Sequence, residues 1–216
     1  MIQDKIRTAT YANFILATPD LFRDAIVLDV GCGTGILSLF AARAGAQRVI
    51  AIDASQIAES AEKIVKANGF ENVITVIKGK VEDVLLPDGI QKVDIIVSEW
   101  MGYALLYESM LDSVLVARDR FLRPGGVLAP SQCHLMLGLC DAAEIRKERI
   151  DYWDDVYGTS DLYQLQSIDC FVGFDFSAMT EDIYEEAIVD VVGPETLLCK
   201  PFTIKVGHIS LWYPVS

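Results

Sequence analysis

At 216 residues the chain can build one complete α/β domain and part of another, and its 52% hydrophobic content, with a mean hydropathy of +0.32, excludes a disordered polypeptide. Its 18 Lys and Arg against 31 Asp and Glu leave a net charge of −13, which opposes direct nucleic-acid binding and suits a basic substrate. Five scattered cysteines without a C-x-x-C pair, and two histidines, argue against a disulfide framework or a metal centre.

Residues 1–7 carry charges where a signal peptide needs an apolar run, and every later apolar stretch is broken well short of a membrane span, so no membrane partner is expected. A soluble protein of the cytoplasm or nucleus follows. From residue 26 onward strand and helix patterns alternate. Strands are expected at 26–30, 49–52, 73–77 and 93–98, with one helix ending at Ala44 before Gly45 and another over 55–67 closed by Asn68-Gly69. A long helix is expected over 103–121, followed by a turn at Pro124-Gly125-Gly126 into Val127-Leu128-Ala129. Several of these strands are apolar on both faces, as in a parallel, doubly wound, Rossmann-like sheet covered by helices. Pro130 marks the expected boundary between a first domain (1–129) and a second (130–216). Beyond it, shorter strands such as 134–139 surround a polar helical stretch, 142–156, and the aromatics of the segment 152–157 (Tyr152, Trp153, Tyr157) read as a packing face or dimer contact.

The densest information lies in Val27-Leu28-Asp29-Val30-Gly31-Cys32-Gly33-Thr34-Gly35, a strand entering a glycine-rich turn before a helix. Such a turn brings backbone close to a nucleotide and aims helix N–H groups at it. A dinucleotide fingerprint needs a sixth-position glycine, and Ile36 stands there. Asp29 would repel a pyrophosphate, whereas a cationic or zwitterionic ligand is compatible with it. The next strand ends at Asp53, an acid placed to take ribose hydroxyls. Together these features predict an S-adenosylmethionine site and disfavour a nicotinamide oxidoreductase.

A second constellation, Ser98-Glu99-Trp100-Met101-Gly102-Tyr103 through Tyr107-Glu108-Ser109-Met110-Leu111, begins where the fourth strand ends. Two carboxylates in an apolar and aromatic loop are costly to desolvate unless a cation joins them. A guanidinium, with its planar fork of donors, matches paired carboxylates where an ammonium does not. Glu99 and Glu108 are therefore the expected catalytic pair, gripping an arginine and leaving one nitrogen to attack a methyl carbon.

These residues resemble the protein arginine N-methyltransferases, and in particular the type I class that forms asymmetric dimethylarginine. The glycine loop alone resembles any class I methyltransferase; the loop with the two glutamates resembles the family's specific "double-E" motif. The resemblance runs over residues 1–158 and 173–204. It implies that Glu99 and Glu108 clamp the substrate guanidinium and that Arg7 pairs with the cofactor carboxylate. Gly31 and Gly33 would line the methionine moiety, with Asp29 beside them. Asp53, where the family usually has Glu, would take the ribose hydroxyls, and Glu82 the adenine amino group, with Val81 alongside. Met101, Tyr103, Met110 and Met1 resemble the residues that shape the acceptor pocket. It further implies glycine- and arginine-rich protein substrates, histones among them, and a homodimer formed through an arm over about 142–179, next to the start of a β-barrel.

The chain departs from the family at three places. The aromatic Tyr-Phe-x-x-Tyr helix expected before Met1 and the Thr-His-Trp loop expected after Ile204 are not in the sequence, and 159–172 reads as an insertion. An incomplete version of a longer enzyme is therefore expected, with apolar surface left uncovered. The alternative is a cofactor-binding or dimerising fragment impaired in catalysis.

Overall fold

The computed structural model describes residues 4–148 and 193–206. Five parallel strands form one sheet in the order β3-β2-β1-β4-β5: β1 (Ile26–Val30), β2 (Arg48–Asp53), β3 (Ile74–Lys78), β4 (Val93–Val97) and β5 (Leu122–Ala129). Val27, Leu28, Ile50, Ala51, Ile95, Ile96 and Val97 are each 1% exposed or less, so the central strands are covered on both faces, as their continuous apolar sequence requires. Alternate residues of β1 serve two separate core layers. Val27 packs with Tyr11 and Ile15 of α1 (Lys5–Ala17), Phe22 of α2 (Pro19–Phe22), Leu37 and Ala41 of α3 (Ile36–Arg43), and Val65 of α4 (Ile57–Ala67). Leu28 and Val30 pack with Val114, Ala117 and Phe121 of α5 (Met110–Phe121). The connections run one way from β1 to β2 and β3 and the other way to β4 and β5. The crevice at the carboxyl ends of β1 and β4 is thus the topological switch point where such sheets bind ligands.

Two expected elements differ from those observed. The helix expected from Tyr103 begins only at Met110, because Ala104, Leu105 and Ser109 have positive φ (45°, 65° and 55°) and Gly102 bridges to Leu105. The aromatic spacing that imitates a helix there belongs to an exposed loop: Tyr103 is 60% and Tyr107 80% accessible. Pro124-Gly125-Gly126 is not a turn ahead of the strand; it lies inside β5 as an irregularity, with the register to β4 broken between Val93 and Ile95. A Cβ on Gly126 would stand 2.9 Å from the Asp94 carbonyl oxygen, so glycine lets β5 close on β4 past the irregularity.

The chain divides into two compact units, one running through Leu135 and resuming at Lys205, the other spanning Met136–Ile204. Among the described residues of the second are α6 (Ala143–Arg146) and a turn at Pro194–Thr196, joined where the Asp141 N–H donates to the Thr196 carbonyl at 2.7 Å. Met136, Leu139, Leu198 and Phe202 of this unit are between 61% and 69% exposed. Strands β6 (Cys133–Leu137) and β7 (Phe202–Val206) form a separate two-stranded sheet. The insertion over 159–172, most of the arm over 142–179 and Met1 lie outside the described residues. Among the described residues, no helix is long and apolar enough to cross a membrane and no cluster of His, Cys, Asp or Glu could hold a metal.

Candidate active site

The glycine loop follows β1, and its shape is set from β2. The Gly31 and Cys32 N–H groups both donate to the Ile52 carbonyl, at 2.8 and 3.0 Å, and the Gly33 N–H donates to Asp53 Oδ2 at 2.8 Å. Gly31, Gly33 and Gly35 all have positive φ, which glycine adopts without strain. Three loop donors are thereby satisfied within the protein. That arrangement is poor for a pyrophosphate, which binds through such N–H groups.

A cavity of about 620 Å³ opens beside this loop at the carboxyl edge of the sheet, within the range of a nucleoside-sized ligand site. Gly31, Asp53, Val81, Glu82 and Met110 line it, so five expected site residues from four chain segments meet at one wall. Asp53 Oδ1 also accepts the Ser55 N–H (2.9 Å) and hydroxyl (2.7 Å). Of roughly four acceptor sites on a carboxylate, three are occupied, and one remains for a ligand hydroxyl. Glu82 Oε1 accepts the Ser113 hydroxyl at 2.5 Å, and this hydrogen bond holds the Glu82 carboxyl below the usual carboxylate range. The walls offer acceptors at both ends and an apolar middle, which fits a ligand with a ribose diol and an amino-bearing base. Met110, expected at the acceptor pocket, stands on this wall; a side chain at Gly31 would run into it.

Asp29 is 1% exposed and is not part of the cavity lining. The alternation of β1 turns it away from the ligand side and into the helix layer, where Oδ2 accepts the Ser38 hydroxyl of α3 at 2.6 Å. Its Oδ1 has no partner, and burial pushes its carboxyl up to about 7. Gly33 is likewise outside the lining.

The acid loop is held by α1. Arg7 Nη1 donates to Glu99 Oε1 at 3.0 Å, and Arg7 Nε pairs with Asp4 at 3.2 Å. One helical turn on, the Tyr11 hydroxyl donates at 2.9 Å to the carbonyl of buried Ser98 and approaches Met101 Sδ at 3.9 Å. Residues 7 and 11 lie on one face of a helix and so grip Ser98 and Glu99 from a single element. Glu108 is exposed and its side chain lies against Gly102: a Cβ there would meet Glu108 Cγ at 2.6 Å and Cδ at 2.7 Å. Met101 and Tyr11 line a second cavity of about 430 Å³ that reaches Pro130, while Tyr103 is exposed on the loop.

Tyr11, Gly102, Ser113 and Arg120 were not singled out as site residues from sequence. Only Gly102 carried a signal, a glycine inside an acidic aromatic loop; the others lie on helix faces where they look like ordinary packing or surface positions. Tyr11→Phe keeps the ring but orphans the buried Ser98 carbonyl. A loss of roughly 1–3 kcal/mol in thermal or denaturant unfolding is expected, and an unchanged midpoint would show that the hydroxyl contributes nothing.

A family model described as a methyltransferase domain matches residues 27–126. Protein arginine N-methyltransferase 1 of Schizosaccharomyces pombe is 50% identical over 192 residues, covering 89% of this chain and 52% of that protein. The chain belongs to the protein arginine N-methyltransferase family. The enzyme of the same name from Chlamydomonas reinhardtii is 48% identical over 210 residues, covering 97% of this chain and 56% of that protein. Among solved structures, the Trypanosoma brucei PRMT1 enzyme-prozyme heterotetrameric complex with AdoHcy superposes with a TM-score of 0.78 at 41% identity, covering 98% of this chain and 62% of that one. Arabidopsis thaliana protein arginine methyltransferase 10, solved in an open conformation, gives 0.75 at 34% identity, with 98% and 62% coverage. The chain spans about half the length of the curated family members it matches.

Proposed function

We propose that this protein binds S-adenosylmethionine in the cavity beside the glycine loop and transfers methyl groups to the guanidinium nitrogens of arginine side chains in proteins, to the asymmetric dimethyl form. The bound cofactor would supply an electrophilic methyl group next to a sulfonium. Asp53 would accept from a ribose hydroxyl and Glu82 from the adenine amino group. Arg7, held at the mouth of the acid loop, would neutralise the cofactor carboxylate. Glu99 and Glu108 would hold the acceptor arginine, fix its plane and offset the repulsion between two cations. The observation that carries the reading is the guanidinium already seated on Glu99, that of Arg7 at 3.0 Å, at the carboxyl end of β4.

The net charge of −13 supports basic, glycine- and arginine-rich substrates, histone tails included, encountered in cytoplasm or nucleus. Self-association as a homodimer is part of the same proposal; one solved relative is itself an enzyme-prozyme heterotetramer. The Arg7–Glu99 pair also favours a second reading, a chain that holds the cofactor without turning over, since Glu99 must share its carboxylate with the acceptor.

Calorimetric titration of S-adenosylhomocysteine into the purified chain, with methyl transfer to an arginine-rich peptide followed in parallel, tests both. Binding with transfer supports the enzyme. Binding alone supports the second reading, and absence of binding overturns the cofactor assignment.

A further inference from the structure

The wall of the cavity formed by the turn after β3 is built in an unusual way. The main-chain carbonyls of Val81, Glu82 and Val84 converge on one guanidinium, that of Arg120 near the end of α5. Nη1 donates to Val81 at 2.7 Å and to Glu82, and Nη2 donates to Val84 at 3.1 Å. The guanidinium carbon also lies 4.6 Å from the centroid of the Phe121 ring. Three carbonyl dipoles pointing at one place repel each other unless a cation with spread donors joins them, and a guanidinium fork does this where an ammonium cannot.

Seven residues earlier on α5, Ser113 donates to Glu82 Oε1 at 2.5 Å. Residues seven apart share a helix face. Glu82 is therefore fixed twice by one face of α5, at its backbone by Arg120 and at its carboxylate by Ser113. With Oε1 engaged by Ser113, the ionised carboxylate of this cavity-lining residue can meet a ligand only as an acceptor. A 6-amino purine offers a donor to such an acceptor, while a 6-oxo purine sets a second acceptor at the same position and its N1–H donor one atom away, so it pairs only if the carboxylate shifts.

We propose that Arg120 is the positioning residue that makes this cavity selective for a 6-amino over a 6-oxo purine nucleoside, by clamping the turn that carries Glu82. This inference rests on the nucleoside reading of the cavity given above, and it assigns no ligand contact to Arg120 itself. The test titrates S-adenosyl-L-homocysteine and S-inosyl-L-homocysteine into the full chain and into Arg120→Met and Arg120→Lys, with ligand-free thermal melts as the check on folding. The unsubstituted chain is expected to prefer the adenosyl ligand by roughly tenfold or more. Arg120→Met is expected to lose most of that preference by weakening the adenosyl ligand roughly tenfold while moving the inosyl ligand less than about twofold. Arg120→Lys, which keeps the charge but not the fork, should lose part of it, and it decides the matter if the methionine variant does not fold.

A merely structural role for Arg120 would weaken both ligands equally, so an unchanged ratio in the folded variants overturns the proposal. So does a chain that binds the adenosyl ligand without preferring it. A chain that binds neither ligand overturns the nucleoside reading itself and this inference with it.

Discussion

Glu99→Gln is expected to lower methyl transfer to an arginine-containing peptide by roughly 10²-fold or more, with S-adenosylhomocysteine binding intact. The substitution keeps size and one acceptor oxygen but removes the charge that a guanidinium needs and the second carboxylate oxygen that fixes its plane. Glu99 sits at the end of β4, its side chain 16% exposed, so the lost attraction is only partly screened by solvent. Folding should barely change, because the Arg7 side chain on the other side of the pair is 41% exposed and ion pairs of that kind contribute about 0–1 kcal/mol. Cofactor-product affinity should hold or rise, since Arg7, released from Glu99, keeps its full charge for a ligand carboxylate. Steady-state kinetics on one peptide, with calorimetry on the same preparations, separates these effects. Transfer by Glu99→Gln within about threefold of the unsubstituted chain would remove Glu99 from the catalytic role. Equal losses in binding and transfer would make it a support for the cofactor instead.

The central sheet was legible because its strands are buried on both faces and leave uninterrupted apolar runs such as Val49-Ile50-Ala51-Ile52; observed and expected strand ends for β1 to β4 agree within a residue. The glycine loop and Asp53 were legible for a related reason, since backbone that approaches a ligand or another strand tolerates few residue types. Helix α1 was not legible. It buries only Tyr11 and Ile15, one turn apart, and its remaining positions leave no apolar stripe to read. The acid loop misled in the opposite direction: Tyr103, Leu106 and Tyr107 have helical spacing but are exposed, and three positive φ values break the helix before Met110. Sequence places residues in order and not across space, so the contacts that organise the site, Tyr11 on Ser98, Arg7 on Glu99 and Arg120 on the turn after β3, had no local signature. Asp29 shows the same limit at the scale of one side chain. Its position next to the loop was plain, and the face it points to was set by strand alternation and by Ser38.

That placement gives Asp29 a measurable effect on stability. Its carboxyl titrates near 7 in the folded chain, raised chiefly by burial, partly offset by hydrogen bonds involving Ser38, and raised further by the charge of Asp53; its ordinary value is 3.8. Below pH 4 the acid is neutral in both folded and unfolded chains and carries no charge penalty. Between about 4 and 7 the unfolded chain releases the proton while the folded chain retains it, so stability falls as pH rises; above 7 the loss is complete. About three units of difference correspond to roughly 4 kcal/mol. Asp29→Asn cannot titrate, and its amide also loses or gains contacts by an amount that does not vary with pH. The expected result is therefore a slope: the stability of Asp29→Asn relative to the unsubstituted chain should improve by a few kcal/mol between pH 4 and 8 in denaturant unfolding, whatever the offset at pH 4. Groups elsewhere titrate identically in both proteins and cancel, apart from Asp53, whose repulsion on Asp29 disappears in the variant. Parallel stability curves over that range would mean that Asp29 Oδ1 is solvated or paired in the folded chain, and that its charge reaches the glycine loop instead of being held neutral behind it.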